Sequence, residues 1–206
     1  MTTFHETTGL DETTINRDPI KQFQSWFDDA VAAKLPLPEA MTLATTTLDG
    51  RPSARMVLLK QVDQNGFVFF TNYNSSKAAE LDANPQAALV FYWSQLDRQV
   101  RIEGSVKRTS AQESRDYFKT RPRESQIGAW ASAQSEVIAS REELEQKARE
   151  VEAMFSDREV ECPEHWGGYR LLPDRIEFWM SRVGRLHDRI LYQRTAGGWT
   201  ISRLAP

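Results

Sequence analysis

One cysteine, Cys162, stands among 206 residues. An internal disulfide framework is therefore excluded, and a single thiol fits a reducing compartment. No apolar run approaches the roughly 18 residues of a membrane-crossing helix. Met1 to Asn16 is polar and lacks the apolar stretch of a secretory signal. A soluble, cytoplasmic protein is expected. The three histidines, His5, His165 and His187, lie far apart. With one thiol they offer no metal-ligand spacing, so no metal is expected. The net charge of −3 argues against a general nucleic-acid binder. It leaves room for a local basic pocket. Neither a Gly-x-Gly-x-x-Gly fingerprint nor a P-loop occurs, which removes the common nucleotide-binding motifs. Repeats and low-complexity tracts are absent too.

What is present is the ordinary material of a globular chain, 40% hydrophobic and 27% charged. Residues 1–17 are rich in Thr, Glu and Asp without a period, and are expected to form a mobile arm. Residues 18–206 are expected to form a single domain. Asp18-Pro19 has the form of a helix start, an N-cap followed by proline at the first helical position. Ile20, Phe23, Trp26, Phe27, Ala30 and Val31 then mark one apolar stripe. Met41, Leu43 and Thr45 alternate with Thr42, Ala44 and Thr46, and Asp49-Gly50 is a hairpin turn.

Further strands are predicted over 53–60, 67–71, 86–93 and 99–107, with Val100, Ile102, Gly104 and Val106 on one face. A short helix is predicted over 75–81, another over 111–120, and a third opened by a capping box at Ser140 and Glu143. Strand-like segments around 168–172, 175–180, 186–192 and 199–204 close the chain. Strands and helices do not alternate regularly. The pattern points to an α+β fold with an antiparallel barrel or sandwich, not a doubly wound parallel sheet.

Three clusters offer chemistry. Arg55 and Lys60 end one strand and fall on opposite faces. They read either as two solvated charges or as the two ends of a seat for a long anionic ligand. Tyr117, Arg121 and Ser125 form the second cluster. Pro122 pushes Arg121 out of helical geometry, so a junction at Arg121 with a new helix behind it is expected. Phenol, guanidinium and hydroxyl make a good phosphate clamp. A polar helix end is the rival reading. In the third cluster, Arg185, His187 and Arg189 share a face if the segment is a strand. They imply an anion there or a charge-guarded sheet edge. Trp179 is open between core packing and contact with a flat aromatic cofactor.

The segments themselves say more. Arg-Met-Val-Leu-Leu-Lys (55–60), Phe-Phe-Thr-Asn-Tyr-Asn-Ser-Ser-Lys (69–77) and Arg-Gln-Val-Arg-Ile-Glu-Gly (98–104) are the first three. Arg-Pro-Arg-Glu-Ser-Gln-Ile-Gly-Ala-Trp-Ala-Ser (121–132), Arg-Leu-His-Asp-Arg (185–189) and Arg-Leu-Ala-Pro (203–206) complete the series. Together and in this order they resemble the pyridoxamine 5′-phosphate oxidase family. The resemblance implies an FMN-binding split β-barrel of antiparallel strands with flanking helices. It further implies a homodimer with FMN at the subunit interface.

By matching positions, Arg55, Met56, Val57, Leu58, Leu59, Lys60, Phe70, Thr71, Ser76, Lys77, Gln134 and Ser135 are expected to hold FMN from one subunit. Gln99, Trp179 and Arg189 are expected to reach it from the other. Lys60, Tyr117, Arg121 and Ser125 are expected to grip the substrate phosphate. Arg185, Leu186 and His187 are expected to lie over the pyridine ring, with Arg185 and His187 as the catalytic pair. The implied reaction oxidises pyridoxine 5′-phosphate or pyridoxamine 5′-phosphate to pyridoxal 5′-phosphate. Hydride leaves the substrate C4′ for the flavin, O2 is the acceptor and H2O2 the product.

Two departures stand out. Family members often carry Arg-x-x-Tyr in the N-terminal arm, whereas Phe4 to Arg17 contains no tyrosine. No site residue is assigned there. The family also often has Arg-Lys where this chain has Ser76-Lys77, which leaves a neutral hydroxyl in place of one cation. Two rivals remain beside the main reading. One is a split-barrel FMN oxidase of the phenazine-pathway type. The other is a non-catalytic protein that stores FMN or pyridoxal phosphate.

Overall fold

In the computed structural model, residues 9–206 are described. Residues 1–8, the first part of the expected arm, lie outside them. Helix α1 (Pro19–Ala32) begins as its sequence dictates. The Asp18 carboxylate accepts the backbone N–H of Ile20 at 2.9 Å, and Pro19 occupies the first helical position. Ile20, Phe23, Trp26 and Ala30 are buried, while Val31 is exposed. Phe23 meets Phe67 edge-on at 4.9 Å and Phe91 at 5.0 Å, seating α1 on the sheet.

The sheet begins with the hairpin of β1 (Ala40–Thr46) and β2 (Pro52–Leu58). Gly50 in its turn has φ +83°, a conformation that favours glycine. Next come β3 (Gln61–Asp63), β4 (Gly66–Asn72), helix α2 (Ser76–Ala83), β5 (Gln86–Trp93) and β6 (Arg98–Arg108). Helices α3 (Ala111–Thr120), α4 (Arg123–Ala131) and α5 (Arg141–Met154) follow. Strands β7 (Trp166–Met180), β8 (Asp188–Thr195) and β9 (Gly198–Arg203) close the chain. All pairings are antiparallel. The order is β2-β1-β5-β6-β7-β4-β3, with β8 on β7 and β9 on β8. The α+β antiparallel architecture expected from the sequence is what forms.

Strand β7 organises the molecule. The sequence suggested two strands around Pro173, but they are one. Its first half pairs β4 and its second half pairs β8, while β6 runs along its other edge. Pro173 is tolerated because the ladder is irregular there, with a register shift between Glu103 and Gly104. Gly104 is required at this crossing. A Cβ on it would lie 2.0 Å from the Leu172 carbonyl oxygen.

Two further expectations are corrected. The segment 186–192 does not start as a strand: β8 begins at Asp188, after a single 3-10 turn over Val183–Arg185. Gly184 (φ +69°) and Arg185 (φ +62°) are both left-handed in that turn. Arg185, His187 and Arg189 therefore do not share one strand face. At Ser140 only half a capping box forms, because Glu143 turns its carboxylate to the Ala139 N–H. The reciprocal box sits at Ser110 and Glu113, at the start of α3.

Residues 9–17, expected as arm, are tied to the last two strands. The Asp188 carboxylate accepts the Leu10 N–H at 3.1 Å, and Arg203 binds Glu12 and the Leu10 carbonyl. The Tyr192 hydroxyl donates to the Asn16 carbonyl at 2.6 Å. Among the described residues no helix is long and apolar enough to cross a membrane.

Candidate active site

A cavity of about 510 Å³ lies where β2, β4, α2 and the α3–α4 junction meet. Most of the residues singled out for phosphate and flavin line it. They are Met56, Val57, Leu58 and Lys60, Phe70 and Thr71, Lys77, Tyr117, Arg121, Ser125 and Gln134. Lys60 and Arg121, distant in sequence, thus share one cavity.

The α3–α4 junction has the form that Pro122 imposes. Arg121 caps α3 in an extended conformation (φ −74°, ψ 147°), Pro122 caps α4, and Ser125 sits in its first turn. Arg121, Tyr117 and Ser125 converge on the cavity from both sides of the break. Arg121 is half-buried, and its Nη1 is buried without a hydrogen-bond partner. Burial pulls its pKa down from the usual guanidinium value. The guanidinium lies over the Trp166 ring at 4.5 Å and makes no ion pair among the described residues. A desolvated, unpaired guanidinium is a ready receptor for an anion.

At the other end, the Lys77 ammonium donates to Thr71 Oγ1 (3.2 Å), Ser75 Oγ (3.1 Å) and Gln134 Oε1 (3.1 Å). All three are neutral. Burial, then the nearby positive charge of Arg55, lowers its pKa. Beside it the Ser76 N–H, at the start of α2, donates to Ser135 Oγ at 3.2 Å. Ser135 itself is held at φ +79°.

Other expected site residues are placed differently. Arg55 does not line the cavity. Its guanidinium is engaged by Glu80 (3.1 Å), Thr45 and Ser53. Glu80 gave no signal in the sequence. Leu59 is buried in the main core, because strand alternation turns it away from Leu58 and Lys60.

Gln99, Trp179, Arg185, Leu186, His187 and Arg189 lie outside the cavity, around the C-terminal end of β7. Gln99 pairs Trp179 across β6 and β7, and the His187 ring packs on Trp179 at 4.7 Å. His187 Nδ1 accepts the Arg182 N–H at 3.1 Å, which in the neutral ring leaves the proton on Nε2. Arg189 is gripped in bidentate fashion by the buried Glu177 carboxylate at 2.8 and 3.1 Å. Leu186 is 73% exposed. Within one chain most of the expected site residues therefore fall into two groups.

Sequence reasoning missed several wall residues: Asn72, Gly128, Ala129, Ser132 and Trp166. Gly128, Ala129 and Ser132 lie inside the 121–132 block already singled out. Trp166 carried no local signal.

Comparison with known proteins shows the family. A sequence profile described as pyridoxamine 5′-phosphate oxidase matches residues 27–155. A second, described as the pyridoxine 5′-phosphate oxidase C-terminal dimerisation region, matches residues 166–206. A Burkholderia cenocepacia protein named pyridoxine/pyridoxamine 5′-phosphate oxidase is 59% identical over 201 residues, covering 96% of this chain and 94% of its own. One of the same name from Rubrobacter xylanophilus is 58% identical over 198 residues, covering 96% and 91%. Among solved structures, PhzG from Burkholderia lata, in complex with tetrahydrophenazine-1-carboxylic acid, superposes with TM-score 0.92. It is 30% identical, and the match covers 98% of both chains. The split-barrel fold extends to a Nostoc punctiforme FMN-binding protein at TM-score 0.74 and 17% identity. With profiles over most of its length and relatives near 58% identity, the chain belongs to the pyridoxamine 5′-phosphate oxidase family.

Proposed function

We propose that the protein is an FMN-dependent oxidase converting pyridoxine 5′-phosphate or pyridoxamine 5′-phosphate to pyridoxal 5′-phosphate with O2. The observation that carries this reading is the buried, unpartnered Nη1 of Arg121, set beside Tyr117, Ser125 and Lys60 in one cavity. Arg121 can present two parallel N–H groups to a phosphate monoester. The hydroxyls of Tyr117 and Ser125 add neutral donors, and Lys60 adds a second charge.

The same cavity fits FMN. Lys77, half-buried among neutral oxygens, would take the cofactor phosphate. Thr71, Gln134 and the strand Met56–Leu58 would flank the rest. When bound, FMN supplies the hydride-accepting chemistry that the reaction needs. The protein's share is to hold, orient and exclude water.

Arg185 and His187 complete the site from a second copy of the chain in a homodimer. Two facts support that. They lie outside the cavity of their own chain, and they fall in the part matching a dimerisation region. His187, with its proton on Nε2, would donate to the ring oxygen of the substrate. Arg185 would lie over the pyridine ring and orient it.

The phenazine-type reading has one observation in its favour, the close superposition on PhzG. The assay separates the readings. FMN-loaded protein should release peroxide with each phosphorylated vitamer, and far more slowly with unphosphorylated pyridoxine. Peroxide only with tetrahydrophenazine-1-carboxylic acid would transfer the protein to the other class. Yellow protein with no peroxide from any of them would indicate storage.

A further inference from the structure

We propose that Trp166 is a positioning residue for substrate phosphate, acting as the platform that sets both arms of the clamp. This rests on the clamp reading of Arg121 given above. Trp166 is the first residue of β7, opposite Asn72 in the ladder with β4, and only 7% exposed. Its ring lies under the Arg121 guanidinium at 4.5 Å. It also stacks with Phe70 at 5.4 Å and 7° between planes. Phe70 in turn stacks on Tyr117 at 4.0 Å and 17°. One indole therefore touches Arg121 and Tyr117 directly, the latter ring at 6.2 Å and 10° between planes, with Phe70 stacked on both.

The physics favours a platform over plain core packing. Trp166 does pack among Phe118, Ile127, Phe155 and Val160, so it has a structural role too. Yet core packing alone needs no cation on the ring. Arg121 has no carboxylate partner among the described residues, and one of its nitrogens is buried unpaired. Guanidinium is weakly hydrated and stacks well on an aromatic face, so the indole holds it without neutralising it. A carboxylate in the same place would hold Arg121 equally firmly but would compete with the incoming phosphate. Arg55 shows that alternative, locked to Glu80 and outside the cavity. The chain thus holds one arginine by an anion and the other on rings, Trp166 at 4.5 Å and Phe118 farther off at 5.5 Å, and only the second is left without a carboxylate partner among the described residues.

The test is a double-mutant cycle in FMN-loaded protein, using Trp166→Leu and Arg121→Ala. The readouts are the dissociation constant for pyridoxal 5′-phosphate and the KM and kcat for pyridoxine 5′-phosphate. Trp166→Leu should weaken binding and raise KM about tenfold, with kcat within about twofold of the parent. Trp166→Phe, which keeps an aromatic face, should recover most of the loss. In the Arg121→Ala background, Trp166→Leu should cost almost nothing more, because the group it positions is gone. The KM for unphosphorylated pyridoxine should not move.

Equal costs in both backgrounds would overturn the platform while leaving the clamp standing. An Arg121→Ala variant that binds as tightly as the parent would overturn the clamp itself, and the platform with it. Loss of kcat at unchanged KM would also overturn the proposal. If the leucine variant does not fold, the same cycle is run with Trp166→Phe. It then reads about a threefold effect that must vanish without Arg121.

Discussion

Replacing Lys77 with methionine should separate holding the cofactor from holding the fold. The ammonium is half-buried and bound only to neutral oxygens. A hydrogen bond between ionised partners is worth about 1.5–3 kcal/mol. Its loss corresponds to roughly a 10- to 150-fold rise in the FMN dissociation constant. The apo fold should gain instead. The oxygens that Lys77 touches keep other partners: Thr71 Oγ1 donates to Gln134 Oε1 at 3.1 Å, and Ser75 Oγ donates to the Asn72 carbonyl at 2.7 Å. What disappears is mainly the cost of a desolvated charge.

A relief of about 1 kcal/mol in a chain of this size raises Tm by roughly 2–4 °C. Burial lowers the Lys77 pKa, so the folded state releases its proton before the unfolded state does. The cost is therefore present in full below the lowered pKa and fades as pH climbs towards the usual lysine value. The gain in Tm should be largest near neutral pH and should shrink in alkali. Flavin-fluorescence titration gives the first number and calorimetry of apo protein the second. An unchanged FMN affinity, or an apo variant that melts earlier than its parent, would refute the reasoning.

Further outcomes follow from the site. Arg185→Leu should lower turnover about 100-fold while FMN affinity stays within about threefold. Unchanged turnover would remove Arg185 from its orienting role. Ser76→Arg adds a second cation beside Lys77. It should tighten FMN about fivefold in the same fluorescence titration, and no tightening would show that the neutral position is already satisfied. Glu113 is held below the usual carboxylate range, first by the Ser110 N–H and hydroxyl and then by Arg170. That contribution is in place above the ordinary carboxylate pKa and is lost as pH falls through the lowered one. Glu113→Gln should therefore flatten the acid side of the stability curve, measured as urea midpoints between about pH 5 and pH 3.

Local rules were legible where local physics decides. The alternation of Met41, Leu43 and Thr45, the Asp18-Pro19 helix start and the break at Arg121-Pro122 all appear as read. What escaped depends on partners distant in sequence. Pro173 argued for a strand end, yet β7 continues because β6 is irregular opposite it. Arg55 looked available, and only the fold brings Glu80 to it. Arg185 looked like a strand residue, but Gly184 allows a left-handed turn that changes its direction. Trp166 could not be singled out, since nothing near it in sequence announces a guanidinium over its face. Likeness to a family already set Gln99, Trp179 and Arg189 apart from the residues expected to hold FMN, and the fold places Arg185, Leu186 and His187 outside the cavity as well.

That division has a consequence in strand β7. Trp166 at its start and Trp179 near its end lie on the order of 40 Å apart along an extended strand. The two ends serve different places on one chain, and on the proposed two-fold assembly each centre takes its second half from the neighbouring chain. Lesions in opposite halves should then complement. When Lys77→Met and Arg185→Leu chains, each impaired on its own at limiting FMN, are mixed and allowed to exchange, each hybrid carries both lesions at one centre and neither at the other. About a quarter of all centres should come back to life.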